Sequence, residues 1–314
     1  MGGQRRPRGA DGGPTEGSTF VDEATGSKAL VVDRVALITG GAGAIGAASA
    51  GLLAEHGAAV AVVDVVGERV ERTVEAIENA GGRALGVVTD LTEPGSIEDA
   101  VARTDAALGP VDVLVNAVGE HYAMAGPFED SDEAGWDALY RVNLLPVMRA
   151  CHAVVAGMKA RGWGRIVNFS SVEGLRAMPH AAPYTAFKAA IDGFTKSLAV
   201  EVAGDGVRVN AIAVDKTRAH QTNFYDLGEE YDRHVPVWIP AGRYAEGRDV
   251  AKVVLFLASE LSDWVVGETI AADGGTLRAG GWYRTPAKWT NSPLLLQWFE
   301  DDPSVNAARP RQVQ

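Results

Sequence analysis

At 314 residues, 46% of them hydrophobic, the chain can bury a sizeable core as one large domain or two modest ones, with no need of a disulfide or metal staple. A net charge of −12 sets most of the surface against phosphate backbones and excludes nucleic acid as the expected partner. The single cysteine, Cys151, excludes an intramolecular disulfide and an all-cysteine metal site and fits a reducing, cytoplasmic compartment, while no apolar run reaches the roughly 18–20 residues of a membrane span.

Residues 1–29 open with MGGQRRPRGADGGPTEGSTF, rich in Gly, Arg and Pro and without an apolar period that could bury itself, which predicts a disordered tail. The tail lacks the apolar core of a secretory signal. From residue 30, short runs rich in Val, Ile and Ala (VALIT, AAVAVVD, ALGVVTD, VDVLVNA, GRIVNFS, GVRVNAIAV) alternate with longer helical segments. Apolar strands alternating with helices predict an α/β fold, a single Rossmann-like, doubly wound parallel sheet with helices on both faces and right-handed crossovers. No linker or fixed-period repeat interrupts the alternation, so one domain is expected over 30–280. The segment 281–314 breaks the pattern, holding Trp282, Tyr283, Trp289, Trp298 and Phe299 without a helix or strand period. So many aromatics predict a tail packed on its own or a neighbouring subunit.

The first βα turn reads LITGGAGAIGAASAGLLAEHG, a strand running into Gly40, Gly43, Ala44, Ile45 and Gly46 and then into a helix. Glycines there permit a tight turn and leave backbone amides at a helix N-terminus to face a pyrophosphate. Eighteen residues past Gly46, the second strand ends at Asp64. A carboxylate at that place accepts hydrogen bonds from ribose hydroxyls and repels a 2′-phosphate, so NAD is expected rather than NADP. Asp90 ends the third strand, where it either reaches the adenine edge or caps a helix. Asn116 and Gly119 follow at the end of the fourth, at the carboxyl side of the sheet where ligands bind.

The strand GRIVNFSS ends in Ser170 and Ser171. Tyr184 and Lys188 come next, within APYTAFKAAIDGFTKSLAVEVAG, whose apolar spacing predicts a helix with both residues on one face, a turn apart. A phenol with pKa near 10 is a poor acid–base group at neutral pH, and an adjacent ammonium would lower it towards working range. Ser171 can hold a substrate oxygen beside it.

From TGGAGAIG through Asp64, LVNAVG and RVNLLPV to Ser171, YTAFK and ETIAADGG, residues 30–275 resemble a short-chain dehydrogenase/reductase of standard length with a YxxxK active site. The resemblance implies Tyr184 as general acid/base, Lys188 as the residue that lowers the tyrosine pKa and binds the nicotinamide ribose, Ser171 orienting the substrate oxygen, and Asn143 supporting a proton-relay water. It also implies NAD contacts from Gly40, Gly43, Ala44, Ile45, Gly46, Asp64, Asp90, Leu91, Asn116, Gly119, Tyr184, Lys188, Val214 and Thr217. The helical segments Asn143–Lys159 and Tyr184–Val202 resemble subunit-interface helices, implying a homodimer or homotetramer.

Three departures from the family pattern stand out. Ala44 replaces the usual second glycine, Asn116-Ala117-Val118-Gly119 replaces paired asparagines before Ala-Gly, and Val214-Asp215 replaces Pro-Gly beside the nicotinamide. At the last, Asp215 and Lys216 pair with each other or with neighbours and shape the loop, or Lys216 or Arg218 contacts a polar or anionic substrate, or the altered loop retains the cofactor tightly. The stretch 219–245 resembles the family's substrate-covering loop, and its His220, Phe224, Tyr225, Tyr231, His234 and Trp238, with His121 and Tyr122, either line a bulky apolar pocket or pack a lid. No His/Asp/Glu cluster has metal-ligand spacing, so chemistry without metal is expected. The leading expectation is an NAD-dependent enzyme acting on a bulky or cyclic, steroid- or terpenoid-like secondary alcohol or ketone. A 3-oxoacyl thioester reductase is the alternative, and a non-catalytic nucleotide sensor or scaffold is the alternative of another class.

Overall fold

Each of the six apolar runs forms a strand: β1 (Val35–Thr39), β2 (Ala59–Asp64), β3 (Arg83–Val88), β4 (Val113–Asn116), β5 (Gly164–Ser171) and β6 (Val207–Val214). The computed structural model describes residues 29–120, 127–218 and 235–280, with the backbone of 283–284 and 289–290. The expected N-terminal tail (to residue 28), His121 and Tyr122, residues 219–234 of the substrate-covering loop, and Trp282, Trp298 and Phe299 lie outside the described residues.

A seventh strand, β7 (Thr269–Ala272), falls in ETIAADGG, a stretch recognised only as a motif in the sequence. Its four half-buried residues are too few to show an alternation. All neighbouring strands pair in parallel, in the order β3-β2-β1-β4-β5-β6-β7. The strand order therefore reverses at β1, where Thr39 pairs with Val63 on one side and Asn116 on the other. A crevice opens at the carboxyl ends of the strands at such a switch point.

The helices are α1 (Ala44–Glu55), α2 (Gly67–Asn79), α3 (Ser96–Ala107), α4 (Glu133–Asn143), α5 (Leu145–Arg161), α6 (Val172–Arg176), α7 (Ala182–Val202), α8 (Val235–Trp238), α9 (Gly247–Ala258) and α10 (Thr276–Ala279). The period of two along each strand sorts the apolar residues onto two faces. Ile38, Val60, Val62, Val115 and Ile212 join Leu53 of α1, Ile77 of α2 and Val254 of α9 in one core. Leu37, Ala61, Leu114, Ile166 and Val209 join Ile97 of α3, Met158 of α5 and Ile191 of α7 in the other. Covering both faces explains why the strands read as unbroken apolar runs. Full burial of each Leu, Ile or Val contributes about 1.5–3 kcal/mol.

Pro146, the second residue of α5, has no N–H to continue α4, so α4 ends at Asn143. The C-terminal extension, read as having no strand period, forms a two-residue antiparallel pair, Tyr283 opposite Thr290 and Arg284 opposite Trp289. Among the described residues no helix is long and apolar enough to cross a membrane.

Candidate active site

The glycine turn is closed by its own backbone. Gly40 has φ of +64°, and a β-carbon there would stand 2.8 Å from the Val118 nitrogen. One on Gly46 would stand 2.1 Å from the Gly40 carbonyl oxygen. Gly43 is the N-cap of α1, no side chain caps the helix, and its first turn holds no carboxylate. Nothing of the helix's own therefore competes for an anion placed at its positive end. Ala44 begins α1, and α9 starts against it, since a β-carbon on Gly247 would lie 2.5 Å from the Ala44 carbonyl oxygen. Ile45 packs against the core.

Asp64 sits at the end of β2 with its carboxylate turned to the glycine turn. Oδ2 accepts a hydrogen bond from the Ala42 N–H and Oδ1 one from the Val66 N–H, both at 3.2 Å. Asp90 is exposed and folds onto its own turn, Oδ1 accepting from the Thr92 N–H at 2.9 Å and the Thr92 hydroxyl at 2.7 Å. It caps that turn and not α3, whose N-cap is Gly95. Leu91 sends its side chain into the core, which leaves only its backbone for a nucleotide.

The Asn116 side chain also points inward. Its amide donates to Asn168 Oδ1 at 2.9 Å, the Asn168 amide donates to Thr195 Oγ1 at 2.9 Å, and Cys151 lies beside both asparagines. Any contribution of Asn116 to the nucleotide site therefore runs through the strand end it braces. Burial pushes the Cys151 thiol up to about 12. Replacing Asn168 by Leu leaves buried partners on both sides unpaired, and should cost about 2–4 kcal/mol in denaturant unfolding while cofactor KM stays near wild type. An unchanged midpoint would show that the chain of amides holds nothing.

Gly119 marks where the chemistry converges, because a β-carbon there would stand 3.1 Å from both Asn143 Oδ1 and Lys188 Nζ. Asn143 is fully buried and grips the backbone one residue on, its amide donating to the Glu120 carbonyl at 2.7 Å and its Oδ1 accepting from the Glu120 N–H at 3.3 Å. Lys188 Nζ donates to the Phe169 carbonyl at 3.1 Å and lies 5.8 Å from the centre of the Tyr184 ring. Ser171 ends β5, caps α6 by accepting from the Glu173 N–H at 3.2 Å, and is hydrogen-bonded to Tyr184. The four expected catalytic residues thus form a linked series: Asn143 and Lys188 meet at Gly119, Lys188 lies beside the Tyr184 ring, and Tyr184 is bonded to Ser171.

Electrostatically the site differs from expectation. Burial pushes the Tyr184 phenol up to about 12; the Ser171 hydrogen bond opposes this, and the carboxylates of Glu173, Glu120 and Asp215 add to it. Lys188 is itself brought down to about 8 by burial, against the pull of Asp192. Burial of both groups and the carboxylates around the phenol thus oppose the lowering that an adjacent ammonium gives. Sequence reasoning missed Asp192, although it follows Lys188 by one helical turn. Its carboxylate accepts from Ser170 Oγ and Thr269 Oγ1, each at 2.9 Å, and so joins α7 to β5 and β7.

Sequence reasoning also missed Glu173 and Arg176, which settle much of the puzzle at 214–218. Val214 pairs with Ser171 and with Ala272 in the sheet. Asp215 Oδ2 accepts from Arg176 Nη2 at 3.1 Å and from the Thr276 hydroxyl at 2.5 Å, and its side chain is 6% exposed. Arg176 also meets Glu173 at 2.9 Å. Asp215 thus pairs with neighbours, as the first of the three readings has it. Arg218 pairs with Glu246 at 3.3 Å. Thr217 is buried, its hydroxyl donating to the Asp215 carbonyl at 3.1 Å, and Lys216 accepts the Ala245 N–H through its carbonyl at 3.0 Å.

Comparison with known proteins places this geometry. The family model described as enoyl-(acyl carrier protein) reductase matches residues 40–276. A cis-4-hydroxycyclohexanecarboxylate dehydrogenase of Sinomonas cyclohexanicum is 38% identical over 77% of this chain and 96% of its own length. A 3-oxoacyl-(acyl-carrier-protein) reductase of Thermotoga maritima is 37% identical over 77% of this chain and 97% of its own. Among solved structures, a gluconate 5-dehydrogenase from Burkholderia cenocepacia J2315, in complex with NADP and tartrate, superposes with a TM-score of 0.74 at 32% identity, covering 80% of this chain and 97% of that one.

Proposed function

The chain is a short-chain dehydrogenase/reductase, an oxidoreductase of alcohols and ketones with a nicotinamide cofactor, and from that premise we propose that the cofactor is NAD and the substrate a bulky or cyclic secondary alcohol or its ketone. The observation that carries the reading is the linked set of four, Asn143 and Lys188 meeting at Gly119, Lys188 beside the Tyr184 ring and Tyr184 bonded to Ser171. A dinucleotide fits the cradle, since Gly40 and Gly46 have no room for a β-carbon and α1 carries no side-chain cap. The turn over Gly40–Gly46 would hold the pyrophosphate and Asp64 the adenosine ribose, with Lys188 at the nicotinamide ribose.

When bound, the nicotinamide supplies the hydride acceptor or donor. Tyr184 exchanges the proton of the substrate oxygen, and Ser171 hydrogen-bonds that same oxygen and holds it against the phenol. Asn143 braces the backbone at Glu120, beside which a relay water would sit, and Lys188 compensates charge that develops on the phenolate. The intact set of four speaks against a nucleotide sensor without turnover. Assembly as a homodimer or homotetramer through the segments Asn143–Lys159 and Tyr184–Val202, on α5 and α7, belongs to the same reading.

The NADP in the gluconate 5-dehydrogenase complex makes cofactor choice the first point to measure. With a panel of cyclic secondary alcohols, kcat/KM with NAD should exceed that with NADP by about tenfold or more, ~1.4 kcal/mol. Preference for NADP would overturn the role given to Asp64, and absence of turnover on the whole panel would overturn the substrate class. The 37% identity to a 3-oxoacyl-(acyl-carrier-protein) reductase supports a second reading, reduction of a 3-oxoacyl thioester. Acetoacetyl-CoA reduced faster than any cyclic ketone would favour it.

A further inference from the structure

Ser171 belongs to two elements at once. It is the last residue of β5 and the N-cap of α6, so the orientation of its hydroxyl follows the orientation of α6. That helix has five residues, too few to hold itself together in water. One side is fixed by contact: a β-carbon on Gly174 would come within 2.9 Å of the Ala189 nitrogen, so α6 lies directly on the turn of α7 that carries Lys188. The other end is fixed by Arg176, the final residue of α6, whose guanidinium reaches Glu173 at 2.9 Å and Asp215 at 3.1 Å. Thr276 of α10 donates to the same Asp215 oxygen. The residue after Arg176, Ala177, has φ of +123°, a backbone that L side chains rarely adopt and that persists only when its surroundings hold it.

The clasp therefore spans a strained exit from α6 and ties it to the end of β6, 39 residues further along the chain. It also sits among the charges that face Tyr184. These are Glu120 from the segment after β4, Glu173 from α6, Asp215 from the end of β6 and Lys188 from α7 itself. A single guanidinium is shared by two of the three carboxylates.

We propose that Arg176 and Asp215 are positioning residues of the reaction: their pairing holds α6 so that Ser171 meets Tyr184, and Arg176 screens the phenol from Glu173 and Asp215. The proposal rests on Tyr184 being the acid/base. Alcohol oxidation needs the phenolate, so its rate is present above the operative pKa and lost as pH falls through it. Removing Asp215 removes a charge that disfavours the phenolate and moves that limb to lower pH. Removing Arg176 unscreens two such charges and moves it to higher pH.

The test compares Arg176→Gln, Arg176→Lys and Asp215→Asn with wild type in kcat, cofactor KM, the pH profile of alcohol oxidation and thermal midpoint. Arg176→Gln should lose about tenfold to a hundredfold in kcat with cofactor KM within about twofold, a scale expected for misplacement of a catalytic group. Arg176→Lys should recover part of that loss. The two charge-removing variants should shift the acid limb in opposite directions. Shifts in one direction, or losses that track only the thermal midpoint, would overturn the proposal. If the wild type oxidises no alcohol, the functional reading fails first. Crystal structures of Arg176→Gln and Asp215→Asn then decide the clasp, and a Ser171–Tyr184 hydrogen bond unchanged in both would overturn it.

Discussion

Tyr184→Phe should abolish turnover, by about 10²–10⁴-fold, while nucleotide affinity stays within a few-fold of wild type. The substitution removes one oxygen and keeps the ring that packs beside Lys188. What goes is the proposed proton carrier and the partner of Ser171. Neither polar neighbour is placed to take over: Lys188 is engaged by the Phe169 carbonyl, and the Asn143 amide by the Glu120 and Leu139 carbonyls. Calorimetric titration with NAD beside steady-state turnover separates the two effects. Activity within a few-fold of wild type would remove Tyr184 from the mechanism. The intact enzyme adds a directional sign. A phenol held high favours ketone reduction, which needs the protonated form, and makes alcohol oxidation climb with pH.

Gly46→Ala should cripple nucleotide binding through the backbone alone. The added β-carbon would stand 2.1 Å from the Gly40 carbonyl oxygen and 2.9 Å from the Gly41 Cα, neither of which is a side chain able to swing aside. Gly40 cannot yield either, because it is wedged against Ala117 and Val118 at a positive φ. The start of α1 must then move off the turn, at about 1–3 kcal/mol of stability and with loss of the converging amides. Titration with NAD and thermal unfolding should show about a hundredfold weaker binding, ~2.7 kcal/mol, and a lower midpoint. Gly51→Ala on the same helix is the control. A β-carbon there meets nothing within 4 Å, and alanine should stabilise α1 by up to about 1 kcal/mol. Wild-type affinity in Gly46→Ala would mean that the cradle lies elsewhere.

The fold was legible because both sheet faces are covered, which writes each long strand as an apolar run. Strand β7 escaped because four half-buried residues carry no period. Tyr184 and Lys188 could be placed from their four-residue spacing, and Asp64 from its distance to the glycine turn. Strand parity was harder to read. A residue at a strand end faces the cleft or the core according to a half-period that the sequence does not mark, and so Asn116 and the side chain of Leu91 turned inward. The electrostatics escaped for a different reason. An ammonium one turn from a phenol lowers its pKa only as far as burial and neighbouring charges allow, and those neighbours come from α6, the end of β6 and the segment after β4. Arg176 and Asp215 stand 39 positions apart, with no local pattern to pair them.

Asp64 carries a consequence for how such an enzyme can change over generations. The carboxylate assigned to cofactor choice also ties the loop after β2 to the glycine turn through the Ala42 and Val66 amides. Hydrogen bonds to a charged group are worth about 1.5–3 kcal/mol each, a sizeable share of a typical domain's stability. A mutation that opened the site to a 2′-phosphate by removing this side chain would loosen the turn that must grip the rest of the nucleotide. The proposed preference would thereby be entrenched: a lineage switching cofactors would first need replacement ties for the turn, and the order of substitutions would matter as much as their identity.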